Sequence, residues 1–291
     1  SFTINNNQYN NIFTASTENV LGLSSDPREG AQDPLQIQHI DPIGSHPSGR
    51  DGDLQVLLMS NKTSDNDYFA GQIDPYVENI DFASWDIDQT PQLTYLQQFD
   101  VILLQENGRT SNSAYIGDIL AEYVLDGGNL ILSTFYWQDR TDGGGSGWGD
   151  LELYDPLYGG ACNYVNQDLG TVLDHPMTEG IEELTCYFRG GPTTLRDDAT
   201  AVAWWSDGDP LVAYNQPGGV ITAVTTFPAH GYYTSFSGDF YELFSNAIYW
   251  TANASPGWLS TDIVSGTVSP GASQDIVVTF NASEVDTGDY T

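Results

Sequence analysis

The sequence has 291 residues, of which 40% are hydrophobic and 12% aromatic. This is too rich in core-forming side chains for a disordered chain, and it is enough for one large domain and a smaller one. The net charge is -33, from 40 Asp and Glu against 7 Lys and Arg. Such a field repels phosphate backbones and anionic lipids, so neither nucleic-acid binding nor membrane binding is expected. No apolar run approaches the roughly 18 residues of a membrane span, so membrane insertion is not expected either.

The first 52 residues differ in composition and hydrophobic pattern from the rest of the chain. They are rich in Asn, Gln, Ser, Asp, Gly and Pro and show little helical periodicity. Short alternating pieces, such as the one containing Phe2 and Ile4, could be strands that pair with another segment. We predict that residues 1–52 form an extended N-terminal arm lying over the main domain.

From residue 53 onward, strand and helix patterns alternate. Apolar runs predict buried strands over residues 54–59, 82–87, 100–105 and 129–135. Helices are predicted over residues 91–99, with Thr90 as N-cap, and around residues 116–124, ended by Gly127 and Gly128. This rhythm favours an α/β domain of flavodoxin-like type over residues 53–254, with a parallel sheet and helices on both faces.

The second half of this domain begins with a segment rich in Gly, Asp and Tyr. We interpret residues 137–180 as a long irregular insertion. Strands are then predicted over residues 184–189, 199–205, 210–214 and 219–227. The domain is predicted to close with an amphipathic helix capped by Ser237.

Residues 255–291 have the turn-rich, alternating pattern of a β-sandwich. The pattern covers only about 35 residues, where such a sandwich needs roughly 80–100. We therefore predict a partial Ig-like module with open strand edges. A neighbouring copy could donate the missing strand, the sequence could be part of a longer protein, or both could be true.

The many carboxylates raise the possibility of a Ca²⁺ site, because Ca²⁺ takes six to eight oxygen ligands. The candidate ligands are Asp65, Asp67, Asp142 and Asp150, none of which has the spacing of an EF-hand loop. The alternative is a solvated acidic surface without bound metal. Apart from Ca²⁺, no cofactor is expected.

Two further kinds of covalent site are indicated. Cys162 and Cys186 could form a disulfide in a secreted protein or remain buried thiols in a cytosolic one. Asn61, Asn253 and Asn281 match the pattern of N-glycosylation acceptors.

Two resemblances follow from these residues. The strand from Asp100, the helix-to-strand passage 123–132, the His175-Pro-Met motif and the helix 243–250 resemble the class I glutamine-amidotransferase-like fold. Residues from Trp258 onward are similar to Ig-like modules of bacterial extracellular proteins.

The amidotransferase resemblance implies a Cys nucleophile after the fourth strand, with a downstream His and Glu. Here that position reads Ser133-Thr-Phe-Tyr-Trp137, without a Cys or a Gly-flanked turn. His230 lies near the place of the family's His, but the adjacent Glu is missing. Since a nucleophile needs an adjacent base, we predict that the protein is not an enzyme.

We therefore predict a secreted or cell-surface structural protein, a subunit of an assembly or filament joined by β-strand exchange with copies of itself. The candidate assembly residues are Phe2, Ile4, Ile276, Val278 and Phe280. One alternative is a surface module that binds Ca²⁺ or glycans through the aromatic loop residues Trp137, Trp148, Tyr154 and Tyr158. Another is a hydrolase of amidotransferase-like fold with a site around His230, Glu106 and the long insertion.

Overall fold

The computed structural model describes residues 53–229 and 236–254 in full, and the backbone of four short strands elsewhere in the chain. The chain divides into two compact units, one formed by Gly44–Ala254 and the other by Ser1–Ile43 together with Ser255–Thr291. His230, Asn281 and Ile276 lie outside the described residues, as do most of residues 1–52 and 255–291.

The strands and helices are numbered in chain order. The strands are β1 (Phe2–Ile4), β2 (Leu54–Ser60), β3 (Ile80–Asp86), β4 (Val101–Leu104), β5 (Leu130–Ser133), β6 (Leu157–Tyr158), β7 (Cys162–Val172), β8 (Leu184–Gly190), β9 (Thr194–Leu195), β10 (Thr200–Trp205), β11 (Pro210–Asn215), β12 (Ile221–Val224), β13 (Phe236–Gly238), β14 (Leu259–Thr261), β15 (Val278–Phe280) and β16 (Gly288–Tyr290). The helices are α1 (Thr63–Ile73), α2 (Leu93–Leu96), α3 (Ser113–Leu125), α4 (Tyr136–Asp139) and α5 (Phe240–Asn253).

A ten-stranded sheet forms the centre of the larger unit, and half of it is parallel. The strands β3, β2, β4, β5 and β12 lie side by side in that order, and each pairs in parallel with its neighbour. Numbered along the chain, these five strands have the spatial order 2-1-3-4-5, which is the order of flavodoxin-like folds. The predicted flavodoxin-like α/β architecture is therefore confirmed.

The other half of the sheet is antiparallel and runs from β12 through β11, β10, β7 and β8 to β13. It includes the 11-residue strand β7, which lies within the segment expected to be irregular. That expectation was wrong because most of the side chains of β7 are exposed or half-buried, so the strand shows no apolar alternation.

Alternate residues of the parallel strands build two hydrophobic cores, one on each face of the sheet. One core joins Val56, Leu58 and neighbouring strand residues to Phe69 of α1 and Phe244 of α5. The opposite core contains residues such as Leu57 together with the apolar stripe of α3. Gly127 follows α3 with φ 98°, and its N–H bonds to the Val124 carbonyl oxygen, as the predicted glycine stop requires.

Three helices differ from the sequence prediction. Helix α1 was missed because most of its residues are polar and only Phe69 and Ile73 are buried apolar residues. Helix α2 has four residues and begins after Gln92, so Thr90 is not its N-cap. Helix α5 begins after Asp239, and Ser237, the expected cap, lies in strand β13.

The smaller unit contains two antiparallel strand pairs. Strand β1 pairs with β16 in the register Phe2–Tyr290, Thr3–Asp289 and Ile4–Gly288. Strand β14 pairs with β15. The two ends of the sequence therefore meet in one ladder.

Candidate functional site

Polar residues follow the parallel strands at the carboxyl edge of the sheet, where ligands of open α/β folds bind. The backbone N–H of Phe135, after β5, donates to the carbonyl oxygen of Glu106, after β4, at 3.0 Å. The Thr134 N–H donates to the Thr226 carbonyl oxygen, after β12, at 3.2 Å. This edge is the candidate site because it also holds two buried carboxyl groups.

The two buried carboxyl groups belong to Glu106 and Asp139, which are 0% and 1% exposed. The Thr110 N–H donates to Glu106 Oε1 at 2.7 Å and to Asp139 Oδ2 at 3.2 Å. Arg109 Nε lies 3.6 Å from Asp139 Oδ1. The site thus connects the loop after β4 to helix α4.

Burial raises the pKa of Glu106 to about 10, and the hydrogen bond with Asp139 and the charge of Asp139 raise it as well. At neutral pH Glu106 is therefore protonated. The guanidinium of Arg109 lies beside the pair. Such a pair can hold a proton, but it is closed off from solvent.

Cys162, at the start of β7, lies near this pair. Burial raises the pKa of its thiol well above the ordinary range, and the charges of Glu106 and Asp139 raise it further. Because the thiolate is the nucleophilic form of cysteine, this thiol is poorly reactive at neutral pH.

The segment after β5, where the sequence resemblance implies a nucleophile, is buried. The Ser133 hydroxyl donates to the Leu104 carbonyl oxygen at 2.9 Å, and the Thr134 side chain is 0% exposed. Tyr136, Trp137 and Trp148 are also fully buried, and the first and last of these rings stack with centroids 5.1 Å apart. Trp137 and Trp148 are therefore core residues, and the idea that they stack on sugars was wrong.

His175 has a structural environment. Its Nδ1 accepts a hydrogen bond from the Met177 N–H at 3.2 Å, and its ring lies 5.0 Å from that of Trp250 and 5.6 Å from that of Tyr214. Burial lowers its pKa. The ring caps a short 3-10 turn and packs against α5 and β11.

The four Ca²⁺ candidates do not form one site. Asp65 is buried and accepts a hydrogen bond from Asn107 Nδ2 at 2.6 Å, whereas Asp67 is exposed. Asp142 forms an ion pair with Arg140 at 2.8 Å, and Asp150 is exposed. Within residues 53–229 and 236–254, no three His, Cys, Asp or Glu side chains are close enough together to hold a metal ion.

A buried ion-pair cluster stabilises the segment that follows α4. Arg140 is 3% exposed and pairs with Asp142 and Asp155. Asp155 also accepts a hydrogen bond from the Tyr136 hydroxyl at 2.7 Å, and Arg196 approaches it to 3.9 Å. Because removing one partner leaves an uncompensated buried charge, this cluster is structural.

Both cysteines are free thiols, so the disulfide considered from the sequence is not formed. In the ladder between β7 and β8, Cys162 lies opposite Gly190 and Cys186 lies opposite Gln167. The two cysteines are thus on neighbouring strands but several positions apart, too far to be bridged without moving the backbone. The Cys186 thiol instead hydrogen-bonds to the Thr226 hydroxyl at 2.8 Å.

The remaining sequence candidates are dispersed. The Asn61 amide nitrogen donates to the Gly108 carbonyl oxygen at 3.1 Å, and that of Asn253 donates to the Tyr249 carbonyl oxygen at 2.8 Å. Phe2 and Ile4 lie in β1, whose partner is β16. Val278 and Phe280 lie in β15, whose partner is β14, so the five assembly candidates are divided between two ladders and a position outside the described residues.

Sequence reasoning named Glu106 but missed Asp139 and Arg109. The polar pair Gln105 and Glu106 directly after an apolar strand was an available signal, because strand ends meet at one edge of a parallel sheet. Asp139 had no such signal, since it lies in a one-turn helix within a segment interpreted as a loop.

An aromatic cluster lies beside the carboxyl pair. The Phe135 ring is 5.0 Å from that of Phe227, 5.9 Å from that of Phe188 and 6.1 Å from that of Tyr164. Tyr164, on β7, is 48% exposed, so part of its ring faces solvent.

The described part of the chain contains no helix that is both long and apolar enough to cross a membrane.

The strand order of the parallel half defines a flavodoxin-like α/β domain. No protein-family model matches the sequence, and no curated protein is significantly similar to it. Among solved structures, the chain is similar to two cytoplasmic proteins of Salmonella typhimurium. The first is 16% identical with a TM-score of 0.52, and the match covers 68% of this chain and 98% of that one.

The second Salmonella protein is 14% identical with a TM-score of 0.51, covering 67% of this chain and 98% of its own. The glutaminase domain of Trypanosoma brucei CTPS is 10% identical with a TM-score of 0.43, and the match covers 69% of this chain and 94% of that domain. At these identities the likeness to the two Salmonella structures concerns the fold alone.

Proposed function

We propose that this chain is a non-catalytic structural protein of a surface assembly, whose copies join by β-strand exchange. In this account the α/β domain, of degenerate amidotransferase-like type, is a rigid body. Residues from 255 onward belong to a partial Ig-like module. In this proposal the protein acts outside the cell, at the surface or secreted, where its negative charge favours solubility.

The absence of catalysis is supported by the chemistry of the carboxyl edge. The Ser133 hydroxyl donates its hydrogen bond to a backbone carbonyl oxygen rather than to a catalytic base. The Cys162 thiol has a raised pKa, and Glu106 is buried and holds its proton at neutral pH. A nucleophile without an adjacent base, next to a carboxyl that cannot accept a proton, does not support acyl transfer.

Strand exchange is supported chiefly by the pairing of β1 with β16. These three-residue strands come from opposite ends of the sequence and form an antiparallel ladder within one compact unit. A segment that completes a sheet in its own chain can complete the same sheet in a neighbouring copy, with the same hydrogen bonds. If each copy passes its β1 to the next, and the rotation between copies does not close a ring, the assembly is a filament.

Removing β1 tests this proposal. We expect the full chain to form polymers whose mass increases with concentration, seen by light scattering and negative-stain electron microscopy. Deletion of residues 1–20 should leave single copies of the chain, because the acceptor β16 loses its partner. A deletion of residues 5–20, which removes a similar length but keeps β1, should retain polymers.

Two results would contradict the proposal. One is a full chain that stays monomeric at every concentration. The other is a set of polymers that persists after residues 1–20 are removed.

A further inference from the structure

We infer that the aromatic cluster at the carboxyl edge of the sheet is a binding platform for a neutral glycan, with Tyr164 as the stacking residue. The inference goes beyond the proposed assembly function, since it concerns a ligand of the α/β domain. It rests on the position, rigidity and surroundings of one half-exposed ring.

The position is the edge at which open α/β sheets bind ligands. Phe135 lies two residues after the end of β5, and Phe227 lies three residues after the end of β12. Their rings are 5.0 Å apart and form the base of the cluster. Phe135 and Phe227 are 6% and 1% exposed, so this base is part of the packed interior.

Tyr164 lies above this base and is held by rings on several sides. Its ring centroid is 5.7 Å from that of Phe188 in an edge-to-face contact, 6.1 Å from that of Phe135 and 6.2 Å from that of Tyr187. Because these contacts hold the ring while the residue is 48% exposed, the exposed part of Tyr164 has a fixed orientation. Preorganisation of this kind lowers the entropic cost of binding a flat ligand.

The neighbouring side chains suit hydroxyl groups. Asn166, two positions after Tyr164 on β7, is exposed, whereas the Gln167 amide already hydrogen-bonds to the Ser206 hydroxyl at 2.7 Å. Side-chain amides both donate and accept hydrogen bonds, as sugar hydroxyls do. Aromatic faces and amides together match a pyranose ring, which has apolar C–H faces and polar edges.

The charge of the chain restricts the class of ligand. With a net charge of -33, the protein repels acidic polysaccharides and nucleic acids. Of the five basic side chains among the described residues, Arg140 and Arg189 are buried in ion pairs, Arg109 and Arg196 pair with carboxylates, and Lys62 is exposed. The charge therefore favours a glycan without carboxylate or sulfate groups over an acidic one.

The test is a titration of the full chain with neutral oligosaccharides. The probes are the six-sugar oligosaccharides (hexamers) of the maltose, cellulose, xylan, laminarin and chitin series. Binding is followed by calorimetry and by the resonances of the tyrosine rings. We expect at least one hexamer to bind and Tyr164→Ala to weaken it by about tenfold or more, the loss expected for one stacked ring. Tyr164→Phe should bind nearly as well as the native chain, because it keeps the ring.

Tyr115→Ala is the matched control, since Tyr115 is 69% exposed and lies on α3 rather than at the cluster. It should leave the affinity unchanged, and thermal unfolding checks that every variant is folded. Failure of all five hexamers to bind would overturn the inference. Binding that survives Tyr164→Ala, or that Tyr115→Ala weakens equally, would overturn it as well.

Discussion

Replacing Gly117 with alanine is expected to destabilise the α/β domain by about 3 kcal/mol, or roughly 6–12 °C in Tm. Gly117 lies in α3, where the chain near Trp148 packs directly on the helix. An added Cβ would stand 1.7 Å from the Trp148 carbonyl oxygen and 2.4 Å from its carbonyl carbon. Because both atoms belong to the backbone, no rotamer change relieves the overlap, and the helix or the segment must move.

Gly71→Ala is the matched control for this substitution. Gly71 lies in α1, and an added Cβ there would meet no atom within 4 Å. Alanine is the better helix former, so this variant should gain roughly 0.5–1 kcal/mol. Thermal and urea unfolding of both variants measure the difference, and equal stabilities would contradict the packing of the Trp148 segment on α3.

The stability of the protein should fall with rising pH because of Glu106, and Glu106→Gln should remove this dependence. The folded pKa of Glu106 is raised from 4.5 to about 10, mainly by burial. Between these values the folded state holds a proton that the unfolded state has lost. The contribution of Glu106 to the free energy of unfolding is complete below the pKa of the unfolded state. It is lost as the pH rises through the pKa of the folded state, at up to about 1.4 kcal/mol per pH unit.

Glutamine is neutral in both states and keeps a donor for Asp139. The stability of Glu106→Gln relative to the native chain should therefore increase from pH 5 to pH 9, approximately over the window between the two pKa values. Glu122→Gln removes an exposed carboxyl of α3 and controls for the general loss of negative charge. Parallel stability curves for the native chain and Glu106→Gln would show that Glu106 ionises normally in the folded protein.

The parallel half of the fold could be predicted because its strands are buried on both faces. Runs such as Val101–Leu104 then contain only apolar residues, and a single sequence is enough to recognise them. Strand β7 could not be recognised in this way, because its stability comes from backbone pairing with β8 and β10 while its side chains remain largely solvated. Helix α1 was missed for a similar reason, since Phe69 and Ile73 alone mark its buried side.

The site was less predictable than the fold. Glu106 could be identified as a polar residue at a strand end. Its partner Asp139, however, lies 33 positions later in the sequence, and Cys162 belongs to β7 in the antiparallel half of the sheet. Their proximity depends on how the segment after β5 folds back. That course is set by buried contacts such as the ion pair of Arg140 with Asp155, which no local pattern indicates.

The central claim is that β1 of one copy pairs with β16 of another. Thr3 and Asp289 are register partners in this ladder, so cysteines at these two positions are close enough to form a disulfide. The measurement mixes a Thr3→Cys chain with a size-tagged Asp289→Cys chain, both carrying Cys162→Ser and Cys186→Ser, and oxidises the mixture. Our account predicts a mixed disulfide between the two chains on a non-reducing gel. Its absence, together with an intramolecular disulfide in a single chain carrying both Thr3→Cys and Asp289→Cys, would contradict strand exchange.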